Sequence, residues 1–179
     1  LSSPLDPRPK FVHYRPNIAL LSGIAWDHYN VFPNYNDYRA QFEMLFDYIE
    51  PGGQIIYNED DPEVKSVVEN AKQAVKKFPY QTPSYYVENQ NFVLETIEGD
   101  LPLSVFGAHN MNNLEGARWV CTQMGITDEE FYEAIVAFQG ASKRMEALLE
   151  KENLEVFRDF AHAPSKVQAS VKACEETFV

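Results

Sequence analysis

Three polar clusters in the chain carry side chains able to do chemistry. Asp27 and His28 fall in GIAWDH, and His109, Asn110 and Asn113 share HNMNN. Lys143, Arg144 and Glu146 form KRME, upstream of Asp159 and His162 in DFAHAP. A neutral imidazole such as that of His28 binds Zn, Mn or Ni readily and Mg less so; a loop histidine hydrogen-bonded for structure is the alternative. Asn110 and Asn113, three apart, project from neighbouring points of one helical face. Each amide offers donors and an acceptor, the equipment for reading a purine edge, while helix capping accounts for one of the two better than for both. An arginine fork holds phosphate, a carboxylate takes ribose hydroxyls and a histidine donates to a phosphoryl oxygen. Arg144, Asp159 and His162 have that equipment, and they would equally serve a surface ion pair and a loop leading into a helix.

The elements needed to position these residues follow from periodicity. Asn17–Ser22 is a short apolar run ended by Gly23, as in a buried parallel strand, and Asp27-His28 lies just beyond its carboxyl end, where open α/β sheets bind ligands. From Tyr35 to Ile49 apolar residues recur at three- and four-residue spacing until Pro51-Gly52-Gly53 stops them, which predicts an amphipathic helix. Gln54–Asn58 reads as the next strand and Val64–Lys77 as a helix, with Pro62 at its first turn. Residues 79–106 hold short strand-like runs, Ser84–Val87, Phe92–Leu94 and Leu103–Phe106, read as an antiparallel addition to the sheet. A helix from Asn110 to Met124 follows. The next opens at Thr127, where Glu130 completes a capping box and Phe131, Ala134, Ile135 and Phe138 form the buried face. A strand near Leu154–Phe160 and a helix after Pro164 come last, with a domain boundary near Ser142. The fold class is α/β, a layered sheet with flanking helices.

Composition narrows the function. With 45% hydrophobic and 13% aromatic residues the chain has the apolar side chains a folded core needs. A net charge of −12 argues against a general nucleic-acid binder, although a few placed cations or a helix N-terminus still suffice for one nucleotide. Cys121 and Cys174 lack the spacing of a metal or redox pair and read as buried thiols in a reducing cytoplasm. No apolar run is long enough to cross a bilayer, so no membrane partner is expected. The glycines form neither G-x-x-x-x-G-K-[ST] nor G-x-G-x-x-G, so no phosphate-cradling loop is recognisable.

In this order and spacing the clusters resemble the Mur ligase family over nearly the whole chain. GIAWDH is similar to the family's metal-site loop, which implies His28 as a ligand of the Mg2+ (or Mn2+) that partners ATP. HNMNN resembles the H-N-x-x-N segment, implying that Asn110 and Asn113 contact adenine with His109 beside them. KRME resembles the R-[FM]-E signature, implying that Arg144 reaches ATP phosphates. DFAHAP resembles D-[YF]-A-H-x-P, implying Asp159 at the ribose and His162 near the phosphates. Several family members carry a carbamylated lysine where YRAQFEM puts Phe42, and Arg158 occupies a place that is often acidic.

The resemblance implies residues 1–141 as part of a central ATP-binding domain without its phosphate loop, and 142–179 as the start of a Rossmann-like C-terminal ligase domain. GIAWDHYNVFP, FGAHNMNNLEGAR and FRDFAHAPSKV are most similar to members that join L-alanyl-γ-D-glutamyl-meso-diaminopimelate to UDP-N-acetylmuramate, with the L-alanine-adding members as the alternative. The implied activity is cytoplasmic, ATP-dependent amide-bond formation through an acyl phosphate in peptidoglycan synthesis or recycling. Arg144 and His162 would be catalytic, and domain closure would bring the clusters together. The chain reads as a fragment expected to be inactive alone. Folylpolyglutamate or cyanophycin synthetases, which share parts of these motifs, and a non-catalytic α/β binding module are the other readings; the last expects Asn110, Asn113, Arg144 and His162 not to converge.

Overall fold

The computed structural model describes residues 5–6, 8–151 and 154–178. They fall into two compact units: Leu1–Thr82 with Glu115–Gly125, and Pro83–Leu114 with Ile126–Val179.

In the first unit β1 (Ile18–Leu21), β2 (Gln54–Asn58) and β3 (Lys76–Tyr80) form a parallel sheet in that order. Neighbouring residues of a strand point to opposite faces, so the complete burial of both Ile55 and Ile56 means the central strand is covered on both sides. On one face Ala19, Leu21, Ile55 and Tyr57 join a core with α1 (Tyr35–Leu45) and α2 (Pro62–Asn70). On the other, Leu20, Ile56 and Phe78 stand in register across the sheet. There the later turns of α3 (Ala108–Gln123) approach closely, and a Cβ on Gly116 would lie 2.9 Å from the Tyr80 hydroxyl and 3.0 Å from Leu20.

Local chemistry sets the helix starts. Asn34 caps α1 by accepting the Asp37 N–H at 2.9 Å. Asp61 caps α2 by accepting from Glu63 and Val64 at 2.9 and 3.2 Å, with Pro62 in the first turn. The helix expected over Val64–Lys77 stops at Asn70, because Ala71 turns extended and Lys76–Tyr80 pairs with β2 as a third strand. Apolar spacing continues through Ala71 and Val75, which hides the break. Pro79 is tolerated because β3 lies at the sheet edge.

In the second unit β4 (Tyr85–Glu88), β5 (Asn91–Thr96) and β6 (Gly99–Leu103) form an antiparallel meander. Asn89 and Gln90 both adopt positive φ, as a two-residue hairpin turn requires. Among the described residues this is a sheet of its own rather than an addition to the parallel one, and its third strand ends at Leu103, where the expected Leu103–Phe106 run begins. The Thr127–Glu130 capping box opens α4 (Asp128–Val136), which packs on β6. Phe131 is buried as expected, whereas Ala134 and Phe138 are exposed and Ile135 is half-buried. The strand expected near Leu154 is β8 (Leu154–Arg158), paired with an unforeseen β7 (Glu146–Lys151) whose register skips Leu148. That irregularity breaks the period-two pattern by which strands are read. After Pro164, α5 (Pro164–Phe178) follows, and Phe106 joins strand to helix through ring contacts of 5.3 Å to Phe157 and 6.4 Å to Phe178.

At the start of β2 a Cβ on Gly53 would meet the backbone oxygens of Asn17 and Glu50 at 2.8 Å each and the Ile49 side chain at 2.7 Å. Backbone oxygens have nowhere to move, so Gly53→Ala is expected to cost about 1–3 kcal/mol. Denaturant unfolding of the two proteins checks this.

Candidate functional site

The carboxyl end of the parallel sheet is tied together by polar side chains. Asn58, buried at the end of β2, donates to the Ser22 carbonyl at 3.1 Å and accepts the Asp60 N–H at 3.0 Å. Asp60 in turn accepts the N–H and hydroxyl of Thr82 at 2.7 and 2.8 Å. From β1 the chain enters the loop carrying Asp27 and His28. His28 has φ 56°, rare for a residue with a side chain, and buried Asp27 accepts its N–H at 2.6 Å. The His28 carbonyl accepts from Val31 and Phe32 at 2.8 and 2.9 Å, and the Trp26 indole donates to Phe32 at 3.0 Å. Sequence and sheet topology thus put a braced histidine where α/β folds present ligand groups.

No group of three or more His, Cys, Asp or Glu able to hold a metal occurs among the described residues. Asp27 and His28 provide one carboxylate and one imidazole. Those are too few donors for a structural metal, which needs four, and the imidazole favours Mn2+ over Mg2+; an ion held here would complete its shell with water and phosphate oxygens. Phe42 is buried in the core, its ring 5.1 Å from Tyr38, so this position has no ligating group.

The other two clusters both lie in the second unit. His109 stands in the first turn of α3 and senses the charges of Asp159, Arg144 and Glu176. Burial, the largest influence, pushes its imidazole below the ordinary histidine value; Asp159 pulls it back up, Arg144 lowers it further and Glu176 opposes. The approach of α3 to α5 depends on Gly107, whose φ is +92° and where a Cβ would meet the Ala173 Cβ at 2.6 Å and the His109 ring at 2.9 Å. Asn110 lies inside the helix rather than at its cap, and its amide donates back to the Phe106 carbonyl at 2.9 Å. Asn113, one turn on, is exposed, while the intervening Asn112 is buried.

Asp159 follows β8. Burial would raise its carboxyl, but the Ser170 hydroxyl, the N–H groups of Phe160 and Met145 and the Arg144 charge together hold it below the ordinary range. Arg144 lies over the Phe160 ring at 5.8 Å from its centroid, and the His162 ring sits 4.9 Å from the same ring. The His162 Nδ1 is 2.8 Å from the Phe160 carbonyl. Arg144, Asp159 and His162 thus gather around Phe160, with His109 near enough to feel two of them. His28 belongs to the other unit. Sequence reasoning missed Ser170 and Glu176, the latter with one buried carboxylate oxygen that has no hydrogen-bond partner. Neither carries a sequence signal, because each matters through a neighbour distant in the chain.

One unit with a parallel α/β sheet and polar groups at its strand ends, and one with an antiparallel meander that holds cationic, carboxylate and imidazole groups, make this an α/β protein. A family model described as the Mur ligase middle domain matches residues 6–121, and the chain belongs to the Mur ligase family. It is 28% identical over 178 residues to the UDP-N-acetylmuramate–L-alanine ligase of Carboxydothermus hydrogenoformans, covering 92% of this chain and 38% of that protein. It is 27% identical over 180 residues to the UDP-N-acetylmuramate–L-alanyl-γ-D-glutamyl-meso-2,6-diaminoheptandioate ligase of Escherichia coli, covering 94% and 38%. The chain spans about two fifths of the length of the curated relatives it matches. Among solved structures, MurF from Acinetobacter baumannii superposes with a TM-score of 0.78 at 19% identity, covering 96% of this chain and 40% of that one. The Thermotoga maritima MurF ligase in complex with ADP gives 0.72 at 15%, covering 90% and 39%.

The lowered His109 value has a consequence for stability. The unfolded chain takes up the proton more readily, so the contribution of neutral His109 is fully present above about pH 6.5 and is lost as pH falls toward the folded value. Thermal unfolding below about pH 6.5 should therefore depend less on pH in His109→Gln than in the unsubstituted protein.

Proposed function

We infer that this chain is the part of an ATP-dependent, amide-bond-forming ligase that holds the nucleotide. The observation carrying this reading is the gathering of Arg144, Asp159 and His162 around Phe160 with His109 adjacent. On this reading Asp159, kept ionised, accepts the ribose hydroxyls, and Asn110 and Asn113 with His109 recognise adenine. A neutral His109 suits that place because it brings no second cation beside Arg144. Arg144 and His162 face the phosphates and steady charge as the phosphoryl group moves to a substrate carboxylate. His28, with Asp27, would hold the divalent ion, Mg2+ or Mn2+, which neutralises phosphate charge when bound. Residues 1–141 are read as part of the central domain and 142–179 as the start of the C-terminal ligase domain.

The acceptor is read as UDP-N-acetylmuramate, in the cytoplasm, and the amine as the tripeptide L-alanyl-γ-D-glutamyl-meso-diaminopimelate. Matches of 28% to an L-alanine ligase and 27% to a tripeptide ligase support the same nucleotide sugar and both amines, so L-alanine is the second reading. No described helix is long and apolar enough to cross a membrane.

The test uses the ligase that contains this chain together with a phosphate-cradling loop. UDP-N-acetylmuramate-dependent release of ADP is expected with the tripeptide, and release with L-alanine alone would move the assignment to the second reading. Arg144→Ala should lower kcat by about 10²–10³-fold, as removal of a group stabilising developing charge does. Asp159→Ala should instead act mainly on the KM for ATP. Unaltered ADP release in both variants would sink the nucleotide-site reading.

A further inference from the structure

Arg144 is presented by a loop of unfavourable shape. Lys143 and Met145 on either side of it have φ of 60° and 48°, left-handed conformations that residues with side chains seldom adopt. Such a loop keeps its shape while its backbone groups are paired. The Lys143 N–H donates to Glu146 Oε2 at 2.8 Å, the Lys143 carbonyl accepts from Phe160 at 2.8 Å, and the Arg144 N–H donates to Ala141 at 3.0 Å.

Glu146 can serve Lys143 only if its carboxylate is held in one orientation. Arg158, its partner directly across the β7–β8 ladder, provides that hold, with Nη2 donating to both carboxylate oxygens at 2.7 and 2.8 Å. Arg158 and Lys143 together also keep the Glu146 carboxyl below its ordinary range. Both partners are partly exposed, 47% and 36%, so the pair contributes little to global stability, and its effect is local geometry.

We propose that Arg158 is a positioning residue for Arg144, acting through Glu146 to fix the left-handed loop that aims the Arg144 guanidinium at phosphate. This rests on the reading of Arg144 as a phosphate-binding group. Arg158 is the better candidate for such a role than an arbitrary surface cation because the chain of contacts is unbroken: guanidinium, carboxylate, Lys143 N–H, Arg144.

The experiment is NMR on the 179-residue chain with inorganic tripolyphosphate as the probe, comparing the unsubstituted protein with Arg158→Gln and Arg158→Lys. In Arg158→Gln the Lys143 amide is expected to exchange with solvent about tenfold faster or more, as local opening does when its partner is lost. The tripolyphosphate-induced shift of the Arg144 side-chain Nε–H should require several-fold more ligand, while Tm stays in place. Arg158→Lys should recover most of both. Unchanged Lys143 exchange in Arg158→Gln overturns the proposal, even if affinity falls, because the loss is then one of charge alone. If tripolyphosphate leaves Arg144 unmoved in the unsubstituted chain, the phosphate reading falls and the proposal with it. Failure of the proposal alone leaves that response intact.

Discussion

Gly107 and Ala173 meet with no room for another carbon between them, and the arrangement of the candidate nucleotide site depends on that approach. Gly107, immediately before α3 and its His109 and Asn110, thereby lies against Ala173 of α5, whose own first turns follow Asp159 and His162. Phe106, immediately before Gly107, adds ring contacts to Phe157 on β8 and Phe178 at the end of α5. A side chain at position 107 would open this seam. Burial of His109, and with it the neutral state of its imidazole, follows from the same contact rather than from any feature of the histidine itself.

Carboxylates and amides in this protein repeatedly do one job, that of bracing irregular backbone. Asp27 takes the N–H of left-handed His28, Glu146 takes that of left-handed Lys143, and Asp159 takes those of Phe160 and Met145. Asn58 and Asp60 join the ends of the parallel strands in the same manner. Left-handed residues with side chains are unfavourable in isolation and persist where surrounding contacts over-determine them. An acidic chain can therefore keep a cationic group available: several carboxylates are engaged by backbone N–H groups, and among the described residues Arg144 lies over the Phe160 ring.

The legibility of these features in the sequence divides along physical lines. Elements set by local signals were readable: the β2 strand QIIYN, the helix after Asn34, the Thr127–Glu130 box and the helix opening at Pro164. Elements set by pairing with distant chain were not. Lys76–Tyr80 has the spacing of a helix face and becomes a strand because β2 offers it an edge, and β7 disguises itself through one skipped residue. Burial on α4 was over-read for a related reason, since apolar spacing says which face is greasy and not whether anything covers it.

The candidate site shows the same division at finer scale. Motif residues were nameable because their types and spacing are local, and the resemblance that carried them stands on the same local strings. The contacts that place them were not nameable, because they run between Gly107 and Ala173, sixty-odd residues apart, and from Ser170 back to Asp159 across a turn of α5. A glycine with positive φ looks in sequence like any loop glycine, and a serine inside a helix looks like surface. What distinguishes them is the neighbour they face, so the residues that aim a site are harder to read than those that form it.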